Sequence, residues 1–484
     1  ALSGTGELGD TRVEGVIAPG NSIGTLTVNG NYEQTATASL LAELAPGSRS
    51  DLLHVTGTAR LDGTLVALPE PGTYYLGEEF NFLHADAGVI GRFANTDFSA
   101  FSPFLQFSLV YASDGARLEV ARGASLVSAA VTANQLQVAA LADAAAIEQG
   151  LPKPLTQLFP AQLGAALEAL GGELHAATPI ALLESSRYLR DAALRRGAAQ
   201  PLVDASDGGS AAWVQVLGGS SVLHGGLNAA RTDANSNGVL VGLEHDLAAW
   251  RVGALLGSGR SDIKQAQGRA SKAKIDNRHA GIFAGRTWGG LGLGTGLTVS
   301  RHDVESTRSV SFAGFSDRLA ARHDARTRQA FIELGYRLGD TGRALEPYLQ
   351  VARVGVDVAG IHEHGGVAAL QGRVKNTRST LGTAGLRFAY GLKAAGQAQS
   401  GLQLRGGLGY RRVSGDRVQV AQLGWAETGR FSVTGAALDA NSLAAELGLT
   451  ALLSPRQRLE LDYGGQHGSA SRDQSLSARW SIQF

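Results

Sequence analysis

The sequence predicts an all-β chain with a helical linker, its C-terminal half a twelve-stranded antiparallel transmembrane β-barrel plugged by an α-helix. Three observations predict it. From Ala211 onward apolar residues occupy every second position over long segments. The segments between them alternate short and long. Between residues 125 and 200 the apolar period changes from two to that of a helix, in a stretch rich in Ala and Leu.

Composition narrows the class. The 484 residues carry 43 Lys and Arg against 43 Asp and Glu, whereas a nucleic-acid-binding chain normally has a basic excess, so no nucleic-acid partner is expected. Glycine is abundant, at 65 residues against 12 Pro, but shows no Gly-X-Y period and sits among apolar residues. Cys is absent, which excludes Cys metal sites and Cys nucleophiles. Met is also absent, and the opening Ala1-Leu2-Ser3-Gly4 is no signal peptide, so a processed chain or a piece of a longer one is expected. No apolar run approaches the ~20 residues of a membrane helix. Barrel strands escape such a scan, because only one face of each is apolar.

The barrel strands follow from period two. Leu291, Leu293, Leu297 and Val299 alternate with glycines, Ile332, Leu334 and Tyr336 with Glu333 and Gly335, and Leu459, Leu461 and Tyr463 with Glu460 and Asp462. Twelve strands are expected near 211–220, 236–247, 250–260, 275–288, 291–303, 326–338, 345–356, 378–391, 401–413, 440–453, 456–466 and 474–484. Most exceed the usual ~5–6 residues of a soluble strand and suit the ~9–11 of a tilted membrane strand. Short connections such as Ala248-Ala249, Gly289-Gly290, Gly339–Arg343, Ser454-Pro455 and the somewhat longer 393–400 alternate with long ones at 221–235, 261–274, 304–325, 357–377 and 414–439. Outer-membrane barrels sort short periplasmic turns from long extracellular loops in this way, which puts both barrel ends in the periplasm. Trp213, Trp250, Trp288, Tyr348, Tyr410, Trp425 and Trp480 lie near strand ends and are expected in the interfacial girdles.

Residues 1–122 also read as β, with short segments about ten residues apart or less and no helix between. The pieces are Ala38–Ala45, Asp51–Gly57, Ala59–Ala67, Glu79–Leu83 and Gln106–Val110. A parallel β-helix gives that spacing, and an isolated rung cannot bury its own face, so further rungs are expected before Ala1. Aromatic residues between Tyr74 and Tyr111, among them Tyr75, Phe80, Phe82, Phe93, Phe101 and Phe107, would close the exposed solenoid end.

Residues 123–177 form a helical linker, with helices expected near 128–147 and 160–171. A further helix is expected within 178–200, with Thr178 as N-cap, Pro179 in its first turn and Gly197 at its end. Its charges are Glu184, Arg187, Arg190, Asp191, Arg195 and Arg196. The inward faces of the barrel segment 211–484 offer Glu244, Glu333, Glu446, Glu460 and Asp462. A charged helix inside a charged, glycine-lined lumen explains both compositions.

This order of elements resembles the monomeric autotransporters of type V secretion. Ala18-Pro19-Gly20-Asn21-Ser22-Ile23-Gly24-Thr25-Leu26-Thr27-Val28 looks like the motif recurring at the end of their passengers. Gly171-Gly172-Glu173-Leu174-His175-Ala176, followed by Leu183–Asp191, looks like the lead into their pore helix. Leu476, Trp480, Ile482 and Phe484 are similar to their C-terminal assembly signal, with Arg479 standing where a small Gly is usual. No Asn lies between Thr178 and Gln200, so Asn-based cleavage within the pore helix is not expected. The resemblance implies a monomeric translocator in the outer membrane, with residues 1–122 as the passenger stem that nucleates folding outside. It implies lipid and lipopolysaccharide around the barrel, and periplasmic chaperones and the barrel-assembly machinery as helpers.

An enzyme is the competing class. Gly218-Gly219-Ser220-Ser221 with His224 lacks the strand-turn-helix context of a nucleophile elbow. His362 and His364 share a long loop, but no cluster of further ligands is expected around them. No catalytic residue, metal or cofactor is therefore expected in this chain. A subtilisin-like protease, an esterase or an adhesin in a passenger upstream of residue 1 is the alternative that the resemblance allows.

Overall fold

Strands of two to seven residues coil the N-terminal part into a parallel β-helix with three faces. The first face stacks Leu2–Gly4, Val16–Pro19, Ser39–Ala45, Thr64–Pro69 and Asn95–Asp97. The second stacks Thr11–Val13, Tyr32–Gln34, Ala59–Leu61 and Val89–Gly91, and the third Glu7–Leu8, Thr25–Val28, Leu52–Val55 and Glu79–Ala85. The computed structural model describes residues 1–145, 151–197, 209–265, 271–340, 343–392, 401–426 and 428–484. It divides into two compact units, Ala1–Val131 with Gln135–Leu170 and Ser311–Ser316, and Thr132–Asn134 with Gly171–Val310 and Asp317–Phe484.

Register explains why the rungs hold together. Ile17 faces Leu40 and Leu40 faces Leu65, while Leu26 faces Leu53 and Leu53 faces Leu83. These residues are fully or nearly fully buried, so each rung buries its apolar face on the next. The segment expected as one strand over Ala59–Ala67 is two, Ala59–Leu61 and Thr64–Pro69. Gly63, at φ 66°, turns the corner between two faces, a conformation L side chains resist.

Asp51 ties rungs together. Its carboxylate accepts from the backbone N–H of Gly24 at 3.0 Å and of Glu43 at 2.9 Å. Burial pushes its pKa up to about 6, against the pull of those two donors. The raised value means that the fold favours the protonated form. This stabilising contribution is complete below the unfolded value near 3.9 and is lost as pH rises through about 6. Between pH 4 and 6 the solenoid of the wild-type chain is therefore expected to lose more stability than that of Asp51→Asn. Thermal melts at both pH values, followed by near-UV circular dichroism, check this, and parallel pH slopes would refute it.

Stacking stops at an antiparallel hairpin, Leu105–Ala112 with Gly115–Arg122, whose second strand pairs with Glu79–Ala85. Phe101 and Phe107 pack with ring centroids 4.2 Å apart and Tyr74 meets Phe101 edge-on at 5.2 Å, while Tyr75 stays exposed. The linker helices run Ala133–Ala144 and Pro160–Leu170. The helix expected from 128 begins later, because Ser125 caps a separate 3-10 turn, Leu126–Ala129. Its expected end at 146–147 lies outside the described residues.

Twelve antiparallel strands form the second unit: Ser210–Leu223, Thr232–Leu247, Trp250–Gln265, Ser271–Trp288, Leu291–Phe312, Phe315–Tyr336, Arg343–Val358, Thr377–Leu392, Leu402–Gly415, Asn441–Ser454, Gln457–His467 and Ser471–Gln483. The last pairs with the first over thirteen positions, from Leu223↔Ser471 to Ala211↔Gln483, and closes the ring. The outer face is apolar, with Leu408 70% exposed and Leu243 63%. Charged side chains point inward and are buried, as with Arg411 at 1% and Glu333 at 2%. This inversion of a soluble core is what a lipid solvent selects.

Two expected long loops are largely strand. The pair Leu291–Phe312 and Phe315–Tyr336 meets at a two-residue turn, Ala313-Gly314, and Trp250–Gln265 and Ser271–Trp288 likewise reach into 261–274. Beyond the apolar band the outer face carries Arg301, Asp303 and Glu305 and the inner face His302 and Ser306, so hydrophobic alternation fades while backbone pairing continues. The loops 357–377 and 414–439 fold together into a small sheet of Ile361–His362, Leu370–Val374, Val420–Trp425 and Phe431–Thr434. Trp425 is buried there against Phe431, not in a girdle. Trp213 and Tyr348 also leave the girdles: their strand parity turns both inward, under Arg479 and Arg387 respectively. The expected turn 393–400, and residues 341–342 of the turn Gly339–Arg343, lie outside the described residues.

Candidate functional site

A chain segment fills the barrel lumen, and its residues explain how it is held. Two helices, Leu174–Ser185 and Arg187–Gly197, follow one another through it, joined at Ser186. The helix expected to start at Thr178 starts one turn earlier. Gly172, at φ 65°, turns the chain inward, and Pro179 then lies inside the helix. Thr178 does not cap it; its hydroxyl donates to the Leu174 carbonyl at 2.8 Å. Pro179 has no N–H for the carbonyl four residues back. Residues 198–200 lie outside the described residues, as does the Arg196 side chain.

Apolar and charged contacts alternate down this segment. Ile180, Leu183, Leu189 and Ala193 join one buried cluster with wall residues Leu240, Leu255, Phe283 and Phe331. A Cβ on Gly435 would sit 2.9 Å from the helix backbone at Ala176 and Ala177, so only glycine allows the approach there. Arg411 donates through both terminal nitrogens to Glu184, at 3.0 and 3.3 Å, with both side chains 2% exposed. Arg187 pairs with Asp473, which also accepts from the Tyr188 hydroxyl at 3.1 Å. Arg190 donates to Gln350 at 2.9 Å and to Gln329 at 3.3 Å, and Gln329 donates to the Ser186 carbonyl at 2.8 Å. That last bond satisfies a carbonyl at the break between the helices. Asp191 lies 3.5 Å from Arg187, and Arg195 lies 2.9 Å from Asp462 and 3.8 Å from Glu446.

The other acidic residues singled out on the wall serve the wall. Glu333 pairs with Arg387 at 2.6 Å and accepts from Gln350, linking it to Arg190 through one side chain. Glu460 pairs with Arg405 at 3.5 Å and Arg479 at 3.9 Å. Glu244 is buried, and its charge acts on Arg251. Sequence reading missed Arg411, Asp473, Gln329 and Gln350. Each lies on the inward parity of its strand, and parity alone would have flagged them; which one meets which helix residue needs the register around the ring.

The outer end of the segment is fastened to the loop sheet. His175 hydrogen-bonds Glu363 at 2.8 Å, and Arg308 donates to the same carboxylate at 2.5 and 3.1 Å. Burial pushes this carboxyl up, but the Arg308 charge and His175 outweigh it and hold it well below the usual carboxylate range. Glu173 accepts from the Ala230 N–H at 2.8 Å and from Gln265 at 3.1 Å.

At the closing seam, Leu476 and Phe484 are 62% and 67% exposed on the outer face, with Trp480 beside them and Ile482 half-buried. Leu476 faces Gly218, Trp480 faces Val214 and Ile482 faces Ala212 on the first strand. The backbones of Phe484 and Ser210 exchange hydrogen bonds at 2.9 and 3.2 Å. Arg479, on the opposite parity, points inward and donates to the Ala192 carbonyl at 2.9 Å. The residue that departs from the small Gly therefore reaches from the seam to the inner helix.

Comparisons with known proteins agree with this architecture. The family model described as "Autotransporter beta-domain" matches residues 212–464, more than half of the chain. An "Extracellular serine protease" of Serratia marcescens is 30% identical over the whole of this chain, which covers 51% of that protein. A second Serratia marcescens protein of the same description is 31% identical over 67% of this chain and 31% of its own length. The chain thus spans about half, or less, of the curated relatives it matches. The translocator domain of the autotransporter NalP from Neisseria meningitidis shares the fold, with a TM-score of 0.50 and 16% identity over 65% of this chain and all of that one. The chain belongs to the autotransporter β-domain family, and its C-terminal half is an outer-membrane translocator barrel.

Proposed function

We propose that this chain exports the passenger of a longer protein across the outer membrane and then closes the pore with its own inner helix. The observation that carries this reading is the segment Leu174–Gly197, threaded through a closed ring and held by hydrogen bonds and ion pairs to side chains from six of its strands. A pore built for solutes would have no use for a covalent plug. The charged residues Glu184, Arg187, Arg190, Asp191, Arg195 and Arg196 belong to that plug. Asp462 and Glu446 receive Arg195, Glu333 supports the site of Arg190, and Glu244 and Glu460 keep the wall neutral.

Residues 1–122 are the stem of the passenger. Their rungs end in an aromatic cap that folds from local contacts and presents a finished edge on which earlier rungs can stack. No nucleotide drives the process outside the inner membrane, so folding at the surface must bias it. Leu476, Trp480, Ile482 and Phe484 are the address read by the barrel-assembly machinery after periplasmic chaperones deliver the chain. The apolar outer face then meets lipid and lipopolysaccharide.

Phe484→Glu tests the address and deletion of 70–120 tests the stem, both in cells making the longer protein. Phe484→Glu is expected to lower the amount of barrel in the outer membrane severalfold. It should cost an already folded barrel about 1 kcal/mol or less, since the residue sits at the interface. The deletion is expected to leave barrels in place but make surface passenger protease-sensitive. Normal insertion in the first case, or normal protease resistance in the second, would refute the corresponding part.

The longer protein is proposed to be a secreted serine protease, as the description of both Serratia relatives suggests, with no catalytic role for this chain. A fluorophosphonate probe should label the longer protein and leave this chain unlabelled. Labelling of this chain alone would overturn the assignment.

A further inference from the structure

Outside the barrel, among the described residues, a side-chain cluster has the composition and geometry of a metal site. His54 and His84 face each other in register on neighbouring parallel strands, Leu52–Val55 and Glu79–Ala85. Their rings stack with centroids 5.6 Å apart and planes 19° from parallel. Asp86 lies two residues beyond His84. Its Oδ1 is 3.1 Å from His54 Nε2 and 3.2 Å from His84 Nε2. We propose that His54, His84 and Asp86 bind one divalent cation of the Zn2+ class and so staple two rungs of the solenoid.

The distances carry the argument. A tetrahedral Zn2+ holds His nitrogen and carboxylate oxygen at about 2.0–2.2 Å, which sets neighbouring ligand atoms about 3.3 Å apart. Two of the three edges here already have that length, and all three ligand atoms lie within 4.8 Å of one another. The His–His edge closes by rotation of side chains that are a third to a half exposed, with no backbone shift. Two imidazoles and one carboxylate, with a fourth position left to water, form a ligand set suited to Zn2+, Co2+ or Ni2+ rather than Ca2+ or Mg2+. Asp114 Oδ2 stands 3.9 Å from His84 Nδ1, on the far side of the ring from the site. At that distance it makes no hydrogen bond to the ring, and it adds one more negative charge beside the site.

The site falls in the last full rungs before the antiparallel hairpin. A cation there adds a side-chain link to strands already joined by backbone hydrogen bonds, the buried Leu53–Leu83 and Val55–Ala85 pairs and the stacked histidine rings. Binding to the folded form alone raises stability by mass action.

The test is a titration of the full chain, free of any histidine tag, in detergent micelles. Co2+ serves as the spectroscopic probe and Zn2+ as the calorimetric ligand. One saturable equivalent is expected, with the visible absorption of tetrahedral Co2+ displaced by Zn2+ and a rise in the melting temperature of the solenoid. His84→Ala and His54→Ala should each weaken binding by at least the roughly 10–100-fold that a lost supporting group costs. His362→Ala, in the barrel loops, should leave it unchanged. His84 is exposed and His54 half-buried, and neither belongs to the apolar core, so far-UV circular dichroism should show that the variants fold. Absence of saturable binding by the wild-type chain would overturn the proposal. So would binding that survives in the folded His54→Ala/His84→Ala double variant.

Discussion

Deletion of 178–197 is expected to turn a nearly closed barrel into a conducting pore. The helix and its side chains occupy a cylinder about 10 Å across. Removing it leaves a water column of that width through an apolar band about 25 Å tall, and a simple ohmic estimate in molar KCl gives a conductance on the order of 1 nS. The wall left behind is lined by Arg411, Asp473, Glu333 and Arg387, so it stays wet. Planar bilayers check this: the full chain should show rare, small openings and the deletion long, large ones. Equal conductance in both would mean that the helix does not obstruct the pore.

The second large effect is expected at the pair Glu184 and Arg411. Both side chains are 2% exposed, and Arg411 also donates to the Ser442 hydroxyl at 3.0 Å. Glu184→Ala strands a guanidinium in the lumen wall. Breaking a buried pair from one side costs about 3–5 kcal/mol, which shifts docking of the helix by roughly two to four powers of ten. Replacing both residues together, as in Glu184→Leu with Arg411→Met, removes the charge as well as its partner and should recover most of the loss. Open probability in bilayers, measured for wild type, both single variants and the double variant, gives the coupling directly. Additive effects would mean that the two side chains act independently.

These effects could not be ranked from the sequence, although much of the frame could. Each barrel strand follows from a backbone rule: side chains alternate, lipid takes one face, and the lumen takes the other. Glu333 among Ile332 and Leu334, or Asp462 between Leu461 and Tyr463, shows its side of the wall without any fold in hand. Where the outer face turns polar too, as at Arg301, Asp303 and Glu305 opposite the inward His302 and Ser306, that signal fades and the strand continues on backbone pairing. Trp213 and Tyr348 show the same limit: proximity to a strand end suggested the membrane interface, whereas parity put them inside.

What the sequence determined by itself was therefore the number of barrel strands, their faces, the solenoid character of the N-terminal part and the presence of a charged helix between them. All of these rest on local periodicity, which each segment carries within itself. The tertiary structure alone decided which charges meet. Arg411 lies 227 residues from Glu184 and Asp473 lies 286 from Arg187. His54 and His84 are 30 positions apart and adjacent only because two rungs stack in register. Such pairings depend on the register accumulated around a closed ring or along a solenoid, and a shift of two residues in one strand would keep every local pattern and change every partner.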